Sequence, residues 1–142
     1  GRSPAVVVVG GGAAGLVAAI AAARAGAAVQ LLERNPRVGR KLLATGNGRC
    51  NYSNAMLDLA RYHGSRASFA AKALGSFGLD KTLRFFSELG IEPREEEGGK
   101  IFPRSGQASA VLDVLRHETE RLGVATLTGT PVTGIAPSSR SE

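Results

Sequence analysis

The chain has a single cysteine, two histidines and no tryptophan. One cysteine excludes an internal disulfide and any C-x-x-C redox pair, and fits a reducing cytoplasm. The histidines, His63 and His117, have no metal-ligand spacing, so no metal site is expected. No Ser/His/Asp arrangement and no pair of catalytic carboxylates stands out. Aromatic residues make up only 5% of the sequence. Long apolar runs are missing as well. Gly10, Gly11 and Gly12 interrupt the N-terminal one, and what is left falls short of the roughly 20 residues a membrane helix needs. Arg2, the apolar stretch and Ala21-Ala22-Ala23 have the outline of a secretory signal. A signal or a membrane span leaves Glu33 without a purpose, so neither is expected.

What is present is enough for one core: 142 residues with 43% hydrophobic content, ordinary for a soluble domain. No internal repeat is visible. The net charge of +6 is carried by 14 Arg against 4 Lys. Such a balance suits nucleic acid, an anionic membrane or a phosphorylated ligand. Arg34, Arg37, Arg40, Lys41 and Arg49 form one stretch with no acid after Glu33. The other basic residues are spread among acids and read as solvated faces.

That basic stretch directly follows the most informative segment, Ala5 to Glu33. Val6 to Val9 are four β-branched residues, suited to a strand buried on both faces of a parallel sheet. Gly10-Gly11-Gly12-Ala13-Ala14-Gly15 follows and satisfies G-x-G-x-x-G. Leu16 to Ala25 predicts a helix, Gly26 its stop, and Val29 to Leu32 a second strand ending at Glu33. Gly10 permits a tight turn, Gly12 lets a pyrophosphate approach the backbone, and Gly15 lets helix and strand pack closely. The helix start offers N–H groups and partial positive charge to phosphates. Glu33, 18 residues after Gly15, is placed to accept from an adenosine ribose. It argues for a free 2′-OH, hence FAD or NAD. Cofactor phosphates are then the economical partner for the arginines, with RNA as the alternative.

Residues 34 to 55 read as a long loop, with Arg40 to Ala44 making one helical turn and Thr45-Gly46-Asn47-Gly48 outside helix or strand interiors. Its glycines, hydroxyls, amides and guanidinium groups suit a loop wrapping a polar, phosphorylated ligand. Further on, Ser68 to Leu74 predicts a short helix with Gly75 and Gly78 as breaks. Asp80 caps a helix to Leu89, with Leu83, Phe86 and Leu89 on one face and Gly90 as its stop. Ile91 to Glu95 and Lys100 to Phe102 form a hairpin around Glu96-Glu97-Gly98-Gly99, the acidic run being a solvated turn. Ser105 caps a helix to about Leu122, with Ala108, Val111, Leu112, Leu115 and Leu122 on one face. Val124 to Thr128 and Val132 to Ile135 are expected strands, after which Pro137 to Arg140 leaves regular structure. An ending just after a new strand has begun suggests part of a larger protein.

Four segments resemble a known family, the BaiN/YhiN-like flavoproteins, expected to be FAD- and NAD(P)-dependent oxidoreductases. They are the glycine motif with Glu33, Gly39-Arg40-Lys41-Leu42-Leu43, Thr45-Gly46-Asn47-Gly48-Arg49-Cys50-Asn51 with Asn54, and Gly99-Lys100-Ile101-Phe102-Pro103 ahead of Ser105 and Ala108. The first is widespread among flavoproteins; the G-R-K-L-L and G-R-C-N segments are much more specific. The match runs over nearly the whole chain.

The resemblance implies an α/β, Rossmann-like FAD/NAD(P)-binding domain, with residues 1–142 as its N-terminal part. The rest of that domain and an inserted second domain would lie beyond it. FAD would bind extended, its ADP half on Gly10, Gly12, Ala13, Ala14, Gly15, Glu33 and Arg34. Arg40, Lys41, Leu42, Thr45, Gly46, Gly48, Arg49, Cys50 and Asn51 would meet the pyrophosphate, ribityl or flavin end. NAD(P)H is the implied co-substrate and a small organic molecule the implied substrate, in a cytoplasmic enzyme.

Individual residues carry smaller expectations. Cys50 is expected in backbone or packing contact, although Arg49 beside it would lower its pKa. Arg49 is also the candidate for tuning the flavin electronically. Tyr52 and Phe102-Pro103 either flank the flavin ring or, for Phe102, join the core. The rival functions are a basic RNA-binding or RNA-modifying flavoprotein fragment and a non-catalytic dinucleotide-binding fragment.

Overall fold

The computed structural model describes residues 5–66 and 68–137. They fall into two compact units, one from residues up to Arg40 together with those from Arg116 onward, the other from Lys41 to Leu115.

The first unit is a parallel β-α-β arrangement. Strand β1 (Ala5–Val9) leads into helix α1 (Ala13–Arg24) and strand β2 (Ala28–Leu32). Strands β1 and β2 pair in register from Ala5↔Ala28 to Val9↔Leu32. A third strand from near the C-terminus (Ala125–Leu127, β6 below) pairs parallel with β2, giving the order β1-β2-β6. Helix α1 is alanine at seven of its twelve positions, a residue with no side-chain entropy to lose in a helix. It closes in a Schellman arrangement, with Ala27 N–H donating to the Ala22 carbonyl and Gly26 N–H to that of Ala23. Leu16, Ala19, Ile20, Val29 and Leu31 are buried and make this unit's core.

Only one face of β1 is covered. Val8 packs towards the start of α1, whereas Val7 and Val9 are each 55% exposed. The expectation of burial on both faces therefore fails. Among the described residues β1 is an edge strand with α1 on a single side. Leu127, in register with Leu32 and Val9, extends the uncovered apolar face.

The second unit centres on an antiparallel sheet. Helix α2 (Arg40–Ala44) runs into a tight turn over Thr45–Gly48 and then the two-residue strand β3 (Ser53–Asn54). Helices α3 (Phe69–Ser76) and α4 (Leu79–Glu88) follow. Strands β4 (Pro93–Glu96) and β5 (Lys100–Pro103) form the expected hairpin, and β3 pairs with the other edge of β5. Helix α5 (Ala108–Arg121) begins in this unit and ends in the first, where it leads to strand β6 (Ala125–Leu127). Of its expected apolar face, Ala108, Val111, Leu112 and Leu115 are buried, whereas Leu122 lies just past the helix end and is half-buried.

Several boundaries differ from expectation for local reasons. Gly75 lies inside α3 and does not break it, a tolerable placement costing about 1 kcal/mol relative to alanine. Gly78, extended at φ −85 and ψ −166, is the N-cap of α4, so Asp80 sits in the first turn and is not the cap. Its carboxylate there still favours the helix dipole. Helix α5 starts at Ala108 because the chain first makes a turn closed by Gly106 N–H on the Pro103 carbonyl. Ser105 therefore does not cap it. Val132 to Ile135 form no strand: they have no ladder partner among the described residues, and Ile135 is 89% exposed. Ser138 to Arg140 lie outside the described residues.

Candidate dinucleotide-binding site

Gly10 leaves β1 at φ +100, a conformation open to glycine and strained for other residues. Its N–H donates to the Leu32 carbonyl at 2.8 Å. Gly15 is required by proximity: a Cβ there would stand 1.8 Å from the Gly10 carbonyl oxygen. The tightest approach is thus between the helix and the Gly10 turn, while Val8 of the strand, where close packing is expected, would stand 3.5 Å from that Cβ. Gly12 differs, since a Cβ there would meet nothing within 4 Å. The space beside it is open.

Helix α1 begins without a side-chain cap and without an acid in its first turn. Its first intrahelical bond is Leu16 N–H to the Gly12 carbonyl at 2.9 Å. The N–H groups of Gly12, Ala13, Ala14 and Gly15 therefore have no partner among the described residues. A 12-residue helix that begins with four such donors offers an anion the hydrogen bonds and dipole it needs.

Glu33 is buried beside this turn, and both of its oxygens are engaged. Oε2 accepts Gly11 N–H at 2.7 Å; Oε1 accepts Asn35 N–H at 2.7 Å and Asn35 Nδ2 at 2.6 Å. The Asn35 N–H, then Gly11 and the Asn35 amide, outweigh burial and hold the carboxyl below its ordinary pKa. Glu33 is thus ionised and fixed. A carboxylate accepts about four hydrogen bonds, so roughly one position is left for a ribose hydroxyl.

The sequence reading missed two contributors. Gly11 is needed because a Cβ would stand 2.6 Å from Val38 Cγ1 and 3.2 Å from Glu33 Cβ. Asn35 was readable in principle, as an amide two residues beyond a strand-terminal acid. Arg34, Arg37 and Arg40, also in this unit, are exposed with no ion pair among the described residues.

The remaining expected site residues belong to the second unit. Lys41 is exposed and Leu42 buried. Thr45 Oγ1 donates to the Leu42 carbonyl at 2.6 Å. Gly46 and Asn47 are left-handed, at φ 56 and 55. At Gly46 a Cβ would stand 2.8 Å from Asn51 N and 3.0 Å from Phe102 Cε1, so only glycine fits. Gly48, exposed, ends the turn, and Asn51, with its nitrogen turned inward, donates to the carbonyls of Ser53 (2.8 Å) and Ile101 (3.1 Å).

Arg49 has work within its own unit. Nη1 donates to both oxygens of Glu96 at 3.0 Å, and the guanidinium lies 4.1 Å from the Phe102 ring centroid. Glu96 also accepts from Arg94 at 2.7 Å. The acidic run is therefore not simply a solvated turn, because Glu96 anchors the glycine loop. No local signal could reveal this pairing across 47 residues.

Cys50 is buried at φ +61. Burial pushes its thiol pKa up, against the lowering expected from Arg49. Phe102 and Pro103 are core residues. Tyr52 is half-buried with its ring 4.7 Å from that of Phe86. His63 and His117 are exposed. Among the described residues no helix is long and apolar enough to cross a membrane, and no cluster of three or more His, Cys, Asp or Glu could hold a metal.

The fold and turn define a Rossmann-type domain with a parallel sheet. Residues 4–142 match the family described as HI0933-like protein Rossmann domain. The chain belongs to that family, the BaiN/YhiN-type FAD oxidoreductases that its motifs resemble.

One relative is the 3-dehydro-bile acid delta(4,6)-reductase of Clostridium scindens, 46% identical over 94% of this chain and 33% of its own length. Another is the ribosomal RNA dihydrouridine synthase of Haemophilus influenzae, 30% identical over 96% of this chain and 34% of its own. The chain thus spans about a third of the curated relatives it matches. Among solved structures, a 3-ketosteroid-delta4-(5alpha)-dehydrogenase of Rhodococcus jostii shares the fold. It has a TM-score of 0.54 and 20% identity, covering 91% of this chain and 38% of that one.

Proposed function

We propose that the protein is an FAD-dependent reductase whose ADP-binding half-site is the Gly10–Gly15 turn with Glu33. One observation carries this reading: four N–H groups at the start of α1 have no partner among the described residues, and a Cβ at Gly12 would meet nothing within 4 Å. The donor set fits a pyrophosphate, and the ionised, fixed Glu33 fits a ribose hydroxyl. Arg34 and Arg40 add positive charge within the same unit. Lys41 and the Thr45–Asn51 loop are assigned to the rest of the same cofactor, on the strength of their motif.

When bound, FAD supplies hydride acceptance and donation. The chain's own residues bind and orient: backbone N–H groups neutralise the phosphates, while Glu33 fixes the ribose. NAD(P)H is the proposed electron donor. The substrate is a small unsaturated organic molecule, a class supported by the 46% identical bile acid reductase. The visible spectrum of the purified protein, followed by identification of the released cofactor, tests this. Full-length protein that is colourless and cannot be reconstituted with FAD would refute it.

A second reading, action on RNA, draws on exposed Arg34, Arg37 and Arg40 and on the 30% identical RNA-modifying relative. It predicts RNA binding with a steep salt dependence that survives loss of Gly12.

A further inference from the structure

Backbone hydrogen bonds pin the chain on both sides of the Glu33 carboxylate. Glu33 N–H donates to the Leu127 carbonyl at 2.9 Å, and the Glu33 carbonyl accepts from Thr130 N–H at 2.8 Å. Two residues on, the Asn35 carbonyl accepts from Gly129 N–H at 3.0 Å. The side-chain contact between Glu33 and Asn35 therefore joins two anchored points. Asn35 Nδ2 donates to Glu33 Oε1 at 2.6 Å. The reverse amide orientation would set oxygen against oxygen, so the donor must face the carboxylate.

The acceptor positions of that carboxylate are unevenly used. Oε1 takes two donors, Asn35 N–H at 2.7 Å and Asn35 Nδ2. Oε2 takes one, Gly11 N–H at 2.7 Å. Each oxygen of a carboxylate has about two lone-pair positions. Oε1 is therefore filled, and Oε2 has a single position left. Glu33 keeps 8% of its surface open to solvent, an aperture in keeping with one contact. A ribose carries two vicinal hydroxyls, and a carboxylate with a free position on each oxygen takes both. At Glu33 the Asn35 amide holds the second of those positions.

We propose that Asn35 is a specificity-determining residue: its amide closes Oε1, so Glu33 accepts one ribose hydroxyl, on Oε2, and offers the other no acceptor. The inference rests on the reading of this turn as an ADP half-site. It adds that the two ribose hydroxyls are unequal in binding, and it names the side chain that makes them so.

Calorimetric titration of flavin-free protein with ADP, 2′-deoxy-ADP and 3′-deoxy-ADP tests this. The parent should bind ADP and one deoxy analogue within about twofold of each other, and the other analogue roughly tenfold more weakly. Asn35→Ala reopens the position on Oε1, so both analogues should then bind several-fold more weakly than ADP. A merely structural role would weaken all three ligands alike and leave their ratios unchanged. The parent's two ratios need no variant. Equal affinity of the two analogues for the parent, or ratios unmoved by Asn35→Ala, would overturn the proposal. A parent that binds no ADP at all overturns the half-site reading and this inference with it. ADP binding without discrimination between the analogues overturns the inference alone.

Discussion

The Glu33 carboxylate accepts the Gly11 N–H at 2.7 Å, joining the glycine turn to the end of the second strand across 22 residues. With the two Asn35 donors, three N–H groups converge on one side chain. The acid usually read as a ribose contact is therefore also tied into the glycine turn itself.

Replacing Glu33 with Gln turns one acceptor into a donor facing donors. At least one buried N–H is then left unsatisfied, at a cost of about 2 kcal/mol. Urea unfolding of Glu33→Gln measures it, and a stability equal to that of the parent would show that the convergence of donors is unimportant.

The two motif glycines separate by mechanism. Gly15→Ala places a Cβ 1.8 Å from the Gly10 carbonyl oxygen, a backbone atom that cannot step aside, and should destabilise the fold by about 2 kcal/mol or more. Gly12→Ala meets open space and should leave the melting temperature within about 2 °C of the parent. Thermal unfolding of both variants decides the matter; equal losses would mean that the turn is differently built.

Acid should weaken the first unit through Glu118. Its carboxylate is buried, bonded by Arg121 at 2.6 Å and Arg24 at 2.8 Å, and held at a pKa of about 2, with the Arg121 hydrogen bond as the largest cause. A lowered folded pKa means stability fully present above the ordinary 4.5 and lost as pH falls towards 2. The Glu33 shift has the same sign. Denaturation midpoints across that range should fall, and Glu118→Gln should flatten the slope. An unchanged slope would remove Glu118 from the account.

Cys50 should behave as an inert thiol. It is buried with a raised pKa, so alkylation in the native state should be much slower than in urea. Equal rates in the two states would reopen a redox role.

The local elements were legible because their signals are local. The Gly10–Gly15 motif, Gly26, the hairpin over Glu97–Gly99 and the apolar face of α5 each arise within a few residues. What sequence could not show was contact between distant segments: Arg49 on Glu96, Arg24 on Glu118, and the bare face of β1 at Val7 and Val9. Val6 to Val9 have the composition of a doubly covered strand, but composition does not say which neighbours cover it. The helix starts moved by one to three residues where a turn at Gly78 or Gly106 decided where the first hydrogen bond could form.

In the proposed site FAD lies against the backbone at Gly12. Titration of FAD into the parent protein and into Gly12→Val, followed by calorimetry, tests it directly. The parent should bind saturably, and the valine should abolish binding by filling the open space while leaving the melting temperature close to that of the parent. Tight binding retained by Gly12→Val would contradict the account.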